Sequence, residues 1–266
     1  MTESYLVERG IYYRTNVFSP DKKTLVFVHG LSGSSSAWLE YENYFEKAYN
    51  VLTYDIRGHG KSFKPKHYSD FEIQNFAEDL EALVKHLSID NFIIIGHSFG
   101  SAIALEYVLS HKEKVIMAIF LSPDFHTKGI RFAKIVFPII GRIAGFVGIL
   151  PIPEHTGTRI DYSHFKKTGD WNLRRMAADI CNTGLRVYLY CLKQLYEFNR
   201  EDRLGAIDIP VLVIHGEKDT VVPYNNSEYI SSKIRNSRLQ KLADANHILV
   251  LNNVKEVTHL IEQFVK

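Results

Sequence analysis

A serine flanked by glycines is the first feature of this chain that could do chemistry. The run Gly96-His97-Ser98-Phe99-Gly100 follows a short apolar stretch and precedes a segment with helical spacing. In that context a Gly-x-Ser-x-Gly run predicts a sharp strand-to-helix turn that lifts the serine hydroxyl clear of a sheet. Both glycines are needed because larger side chains two residues either side of the serine would collide. The run therefore predicts that Ser98 is a nucleophile, with a purely structural turn as the alternative.

A serine hydroxyl becomes a useful nucleophile only when a base takes its proton and an acid orients that base. In sheet enzymes of this design the three residues follow in the order serine, acid, histidine. Asp219 follows the apolar run 211–215 and is our candidate for the acid. Glu217, close to the end of that run, and Asp124, after the preceding apolar run, are the alternatives. A helix cap is the structural interpretation of Asp124.

The base must be chosen among twelve histidines. His247 alone lies where a loop is expected between the last predicted strand and the terminal helix. His259 is expected to be exposed on that helix. His97 adjoins the serine and is expected to pack or to orient the turn. His29 is expected to be a buried hydrogen-bonding group that holds its own loop.

A tetrahedral intermediate at the serine would need two backbone N–H donors. One candidate is Phe99, the residue directly after the nucleophile. The other is Leu31, in the loop that follows the apolar run ending at His29. Gly30 would let that loop approach the substrate closely, so Gly30 and Leu31 are also our candidates for substrate contacts.

The elements that would position these residues alternate between β-rich runs and helical patterns. The runs 5–7 and 11–18 predict an antiparallel pair. Further strands are predicted, several of them apolar on both faces, at 24–29, 51–55, 92–96, 115–121, 211–215 and 239–242. Helices are predicted around Trp38 and at 71–87, 99–111, 224–234 and 247–265. This alternation predicts an α/β fold with a mostly parallel sheet covered by helices on both faces.

The segment 125–204 interrupts the alternation. It contains 13 Lys and Arg against 7 Asp and Glu, and no strand pattern. Residues 176–198 have helical spacing, and residues 130–149 are apolar with interspersed glycines. We predict an inserted helical cap that divides the sheet domain into parts 1–124 and 205–266. The apolar residues between 135 and 150 would pack as core, line an acyl tunnel or form a membrane-docking face.

Composition excludes several other classes of protein. A chain of 266 residues with 45% hydrophobic and 23% charged residues predicts a globular protein rather than a disordered, collagenous or coiled-coil one. A net charge of +2 indicates no nucleic-acid partner. Cys181 and Cys191 cannot form a disulfide framework, which favours a reducing, cytoplasmic location. Signal-peptide, membrane-span, metal-ligand and phosphate-loop patterns are missing, so we expect no stable membrane insertion, no metal and no cofactor.

Taken together, the motifs resemble those of the α/β-hydrolase superfamily. They are Val28-His29-Gly30-Leu31, Asp55-Ile56-Arg57-Gly58-His59-Gly60-Lys61-Ser62, the serine run at 96–100, Gly216-Glu217-Lys218-Asp219 and Asn246-His247. Within the superfamily the chain looks like carboxylesterases and monoacylglycerol-lipase-like serine hydrolases with a helical cap between strands six and seven. The resemblance implies an eight-stranded sheet, a Ser98–Asp219–His247 triad and an oxyanion hole at Leu31 and Phe99. It also implies that Asp55, Arg57 and His59 are scaffold residues beside the site.

The combined pattern predicts an enzyme that cleaves small carboxylic esters of short to medium acyl length through an acyl-enzyme on Ser98. Other reactions of the same three residues stay open: those of a monoacylglycerol lipase, a lactonase, a carbon–carbon bond hydrolase or a perhydrolase. The resemblance argues against the dehalogenase and epoxide-hydrolase branches, which use an aspartate where this chain has Ser98. The alternative outside the enzymes is a catalytically inactive protein of the same fold that acts as a binding module. The sequence indicates no oligomeric state.

Overall fold

One twisted sheet organises the chain, as seen in a computed structural model that describes residues 1–124, 133–150 and 156–266. Its strands are β1 (Thr2–Leu6), β2 (Ile11–Thr15), β3 (Thr24–Val28), β4 (Asn50–Tyr54), β5 (Phe92–His97), β6 (Val115–Leu121), β7 (Val211–Gly216) and β8 (Ser237–Leu242). They lie in the order β1-β2-β4-β3-β5-β6-β7-β8. β2 pairs antiparallel with β1 and β4, and the other pairs are parallel. The predicted mostly parallel, eight-stranded sheet is confirmed.

Helices connect the strands within these ranges. They are α1 (Leu39–Phe45), α2 (Ile73–His86), α3 (Phe99–Ser110), α4 (Ala133–Ile149), α5 (Leu173–Thr183), α6 (Leu185–Glu197), α7 (Tyr224–Lys233), α8 (Leu249–Asn252) and α9 (Val254–Val265). Between β6 and β7 the chain forms α4, α5 and α6 and, in the described ranges, no strand. None of the helices described here is long and apolar enough to cross a bilayer.

The central strands bury side chains on both faces of the sheet, which explains their almost unbroken apolar sequences. In β3, Val26 and Val28 join a core cluster with α2 and α3 on one face. Leu25 and Phe27, which alternate with them, join the opposite cluster with α1 and α9. The confirmed covering of both faces thus follows from the two-residue period of a strand.

Two predicted helices are each divided in the structure. The predicted helix 176–198 begins earlier, at Leu173, and is interrupted at Gly184, whose φ of 93° cannot continue a helix. The predicted terminal helix 247–265 is divided at Asn253 into α8 and α9. Both divisions are set by single residues with non-helical backbone angles.

The segment predicted as a cap is described in part. Its predicted start at residue 125 and part of the apolar run 130–149 lie outside the described residues. On α4, Ile139, Ile143 and Phe146 are exposed, whereas Ala144 and Val147 are buried. The side chains of residues 135–137 and 149, which the tunnel prediction also used, lie outside the described part of the chain. The acyl tunnel and the boundaries 125–204 therefore stay predictions.

Candidate active site

Ser98 occupies the turn between β5 and α3. Its φ of 51° and ψ of −117° lie in a region that side-chain-bearing residues rarely adopt, at a typical cost of about 1–3 kcal/mol. The neighbouring glycines allow this turn. A Cβ on Gly96 would overlap the backbone of Gly100, and a Cβ on Gly100 would overlap the carbonyl oxygen of Val28. The predicted sharp strand-to-helix turn is therefore present, and its strain is concentrated at Ser98.

The structure brings together the three side chains that were predicted to react. The Ser98 hydroxyl lies 3.0 Å from His247 Nε2. His247 Nδ1 lies 2.8 Å from Asp219 Oδ2. Because a carboxylate can only accept, Nδ1 carries the hydrogen of a neutral ring and Nε2 is free to accept the serine proton. This is the tautomer that a general base at Ser98 needs.

Asp219 is a buried carboxylate surrounded by donors. Its Oδ1 accepts the backbone N–H groups of Val221 at 2.9 Å and Val222 at 2.8 Å. Burial alone would raise the pKa of Asp219, but hydrogen bonds from His215 and His247 outweigh burial and hold that pKa well below its usual value. Asp219 is therefore charged throughout the ordinary pH range.

The two alternative acids lie differently. Glu217 is exposed and forms an ion pair with Lys241 at 2.7 Å. Asp124 is partly buried, with the side-chain amide of Asn226 3.4 Å from its Oδ1. Since both ring nitrogens of His247 already face Ser98 and Asp219, neither nitrogen is left for these carboxylates.

The two candidate oxyanion donors lie at the start of α3 and in the loop after β3. Within the described ranges, the backbone N–H groups of Phe99 and Leu31 donate to no protein acceptor. Phe99 is the first residue of α3, where helix N–H groups point outward and the helix dipole favours negative charge. The loop of Leu31 is held by Thr183, whose hydroxyl donates to the Ser32 carbonyl at 2.9 Å.

His29 fixes the same loop from beneath. It is buried, and its Nε2 accepts the backbone N–H of Ile56 at 3.1 Å. Its Nδ1 therefore carries the hydrogen and donates to the Gly30 carbonyl at 2.9 Å. The structure thus places His29 as a hydrogen-bonding residue of the loop, as the sequence suggested. A Cβ on Gly30 would meet His97 Nδ1 at 3.0 Å, so this position has little room for a side chain.

His97 lies beside His247 rather than beside the serine hydroxyl. Its Nε2 donates to the His247 carbonyl at 2.9 Å, and burial together with neighbouring His247 lowers the pKa of His97 to about 3. It is therefore neutral and holds the backbone of the base. His259, by contrast, is exposed on α9 next to Gln263.

Residues of the motif at 55–62 form hydrogen bonds that hold the surrounding loops. Asp55 accepts the backbone N–H groups of Ser35 and Lys61, both at 2.7 Å. Arg57 makes two hydrogen bonds of 2.6 Å to the carboxylate of Asp79. Burial lowers the pKa of His59 to about 3. These contacts agree with the scaffold role that the resemblance implies.

Sequence reasoning missed two residues that touch the site. His215 Nε2 lies 3.3 Å from Asp219 Oδ2. A polar residue at the end of the apolar run 211–214 was a usable signal for it. Asp170, in the inserted segment, accepts the backbone N–H of His247 at 2.8 Å. No motif surrounds Asp170, so its position could come only from the folded structure.

No cluster of three or more His, Cys, Asp or Glu side chains that could hold a metal ion is found in the ranges 1–124, 133–150 and 156–266. The groups gathered at Ser98 are instead the imidazole of His247 and the carboxylate of Asp219. A hydroxyl, an imidazole and a carboxylate in this arrangement are the groups that acyl transfer to a serine requires.

Comparison with known proteins shows the family of the chain. Residues 23–254 match the family model of the alpha/beta hydrolase fold, so the chain belongs to the α/β-hydrolase family. The 3-oxoadipate enol-lactonase 2 of Acinetobacter baylyi is 26% identical over 250 residues, which cover 92% of this chain and 90% of the relative. A non-heme haloperoxidase of Rhodococcus erythropolis is 26% identical over 278 residues, covering 95% and 96%.

Solved structures show the same architecture. Est816, described as an N-acyl homoserine lactone degrading enzyme, superposes with a TM-score of 0.76 at 25% identity and covers 96% of both chains. The esterase EaEST from Exiguobacterium antarcticum has a TM-score of 0.71 at 20% identity and covers 96% of this chain and 95% of its own. At that identity the esterase shows the shared fold alone.

Proposed function

We propose that this protein is a serine hydrolase that cleaves carboxylic esters of short to medium acyl length. The observation that carries the proposal is the hydrogen-bonded series from Ser98 Oγ to His247 at 3.0 Å and from His247 to Asp219 at 2.8 Å. The unpartnered N–H groups of Leu31 and Phe99 in the described chain support it, because an acyl-transfer site needs donors for an oxyanion.

The reaction proceeds in two halves. Ser98 Oγ attacks the ester carbonyl carbon while His247 Nε2 takes the hydroxyl proton, and Leu31 and Phe99 donate to the resulting oxyanion. The carbon–oxygen bond to the alcohol then breaks, and the alcohol leaves with the proton from Nε2. A water molecule that gives its proton to the same nitrogen attacks the acyl-enzyme, releases the carboxylic acid and restores Ser98.

The acyl group is expected to be apolar and of limited length. The inserted segment contacts the site, and its apolar run 135–150 is the candidate wall for an acyl chain. Each buried methylene would contribute about 0.8 kcal/mol, or roughly fourfold in affinity, until the space is full. We therefore place the optimum at about C4 to C8. The corresponding substrate is a small-molecule ester. The corresponding location of the protein is the cytoplasm.

A panel of p-nitrophenyl esters with acyl chains from about C2 to C12 tests this proposal. The wild-type kcat/KM should rise and then fall along the series. Ser98→Ala should lose about 10⁴-fold in kcat, with the residual rate due to binding and the oxyanion donors. Absence of turnover on every ester, or near-wild-type turnover by Ser98→Ala, would contradict the proposal.

A lactonase is the second candidate. The enol-lactonase relative and the lactone-degrading structure, at 26% and 25% identity, favour it. A lactone is a cyclic ester, so the same attack by Ser98 would open the ring and leave the alcohol attached to the acyl group. Five-membered lactones are therefore included in the panel. A kcat/KM at least about tenfold above that of the best ester would transfer the assignment to lactones.

A further inference from the structure

Asp170 is an acidic residue buried next to the base. It lies in the inserted segment just before α5 and is 7% exposed. Charged side chains are rarely buried without partners that satisfy them. Its partners are unusual because they are neutral donors on two separate loops of the sheet domain, rather than a cation.

The Asp170 carboxylate bridges the loop of the acid and the loop of the base. Oδ1 accepts the backbone N–H of His247 at 2.8 Å. Oδ2 accepts both the backbone N–H and the hydroxyl of Thr220, at 2.9 and 2.8 Å. Thr220 directly follows Asp219. One carboxylate therefore sets the spacing between the residues that must hydrogen-bond to each other.

The backbone of His247 is held on both sides. Asp170 takes its N–H, and the His97 ring donates to its carbonyl at 2.9 Å. His97 belongs to the turn that carries Ser98, so one contact ties the base to the nucleophile. The other contact ties it to the inserted segment.

Neighbouring residues reinforce the link from the inserted segment. The carbonyl of Thr168 accepts the side-chain amides of Asn246 at 3.0 Å and Asn252 at 2.9 Å. Arg175 donates to the Asp170 backbone carbonyl at 2.5 Å. Residues 167–170 thus hold the segment 246–252, which ends in α8, by hydrogen bonds along its length.

We propose that Asp170 is a positioning residue for His247. This inference rests on the proposed function, since it assigns to Asp170 the alignment of the base with Ser98. The inserted segment then has a second task besides contacting substrate: it completes the geometry of the base. A displacement of about 1 Å in a reacting group can cost about 100-fold in rate.

Asp170→Asn is the direct test. The amide nitrogen cannot accept an N–H, so one of the two loops loses its acceptor while the shape of the side chain is kept. Asp179→Asn is the matched control. Asp179 is also a buried acid of the inserted segment, and its partners Tyr162 and Arg175 belong to that segment. Thr220→Val is a milder variant that removes one donor to Asp170 and keeps the backbone.

Three kinds of measurement are made for each variant. The first is kcat and KM on the best ester, the second is the rate at which a fluorophosphonate modifies Ser98, and the third is the Tm. Asp170→Asn should lower kcat and the modification rate by about 10- to 100-fold with KM within about threefold. Asp179→Asn should keep kcat and the modification rate within about threefold of the wild-type values, even if its Tm falls as much as that of Asp170→Asn. Thr220→Val should lose about three- to tenfold in the modification rate.

The proposal is overturned if the fluorophosphonate modifies Ser98 of Asp170→Asn at a rate within about threefold of the wild-type rate. It is also overturned if Asp170→Asn and Asp179→Asn lower the modification rate by the same factor. If Asp170→Asn does not fold, an unchanged modification rate in Thr220→Val overturns it. A wild-type protein that cleaves no ester but reacts at Ser98 contradicts the ester assignment alone. The Asp170 comparison is then still read from the modification rates.

Discussion

Asp219 accepts hydrogen bonds from His247 and from two backbone N–H groups, and His215 Nε2 lies 3.3 Å from its carboxylate, so its charge and orientation are set before substrate binds. Asp219→Asn should therefore lower kcat by about 10⁴-fold, because an amide favours the wrong imidazole tautomer. Asp124→Asn, at the end of the neighbouring strand, should change kcat by less than about threefold. Both are measured on the best ester of the panel. The reverse ranking would place the acid after β6.

The pH dependence of kcat/KM should show one ionisation on its acidic side. Only a neutral imidazole can take the serine proton, so the rate should rise with pH as the base loses its proton and then level off. Hydrogen bonds hold the pKa of Asp219 well below its usual value, and burial lowers the pKa of His97 to about 3. Neither of these two groups therefore titrates near neutral pH. A flat profile would exclude a histidine base.

Asp179 provides the control for this profile. Burial raises the pKa of Asp179 to about 6, although Tyr162 and Arg175 both favour its charged form. Its carboxyl therefore titrates near pH 6 without touching the reacting atoms. The acidic limb should persist in Asp179→Asn, whose carboxyl is gone. Loss of the limb in that variant would assign it to Asp179 instead of the base.

At the scale of elements, the close approach of α3 to β3 depends on Gly100. A Cβ there would overlap the carbonyl oxygens of Val28 and His29, which are fixed in the sheet or at its end. Gly100→Ala should lower the free energy of unfolding by at least about 1–3 kcal/mol. In an exposed part of α4, a Cβ on Gly145 would meet no atom of the described residues within 4 Å. Gly145→Ala should stabilise by about 0.5–1 kcal/mol.

Thermal or urea unfolding measures the change in the free energy of unfolding for Gly100→Ala and for Gly145→Ala. The two variants make the same glycine-to-alanine change at a crowded position and at an open one. Equal Tm values for Gly100→Ala and the wild type would contradict the close contact between α3 and β3.

Most of the elements were predictable because burial on both faces leaves a strong record in sequence. The prediction for β6 at 115–121 matches its observed bounds, Val115–Leu121. The division at Gly184 was not predicted, because helical spacing continues through 176–198 and a glycine inside it is compatible with a helix. Only the observed φ of 93° shows the break. Local patterns thus identify elements better than they identify where elements stop.

At the scale of the whole molecule, the site joins residues that are far apart in the chain. The meeting of Ser98, Asp219 and His247 was predictable because each follows a strand of one parallel sheet, and the strand ends share an edge. The contact of Asp170 with His247 spans 77 residues and has no such rule. It depends on how the inserted segment folds onto the sheet, which no local pattern encodes.

The most direct test of the central claim is to locate the residue that reacts with a fluorophosphonate. Intact mass and peptide mapping should show one phosphonyl group per chain, attached to Ser98. The adduct should be missing in Ser98→Ala and should form much more slowly in His247→Ala, because the hydroxyl then keeps its proton. An adduct on another residue, or ester turnover by a protein that forms no adduct, would contradict the account.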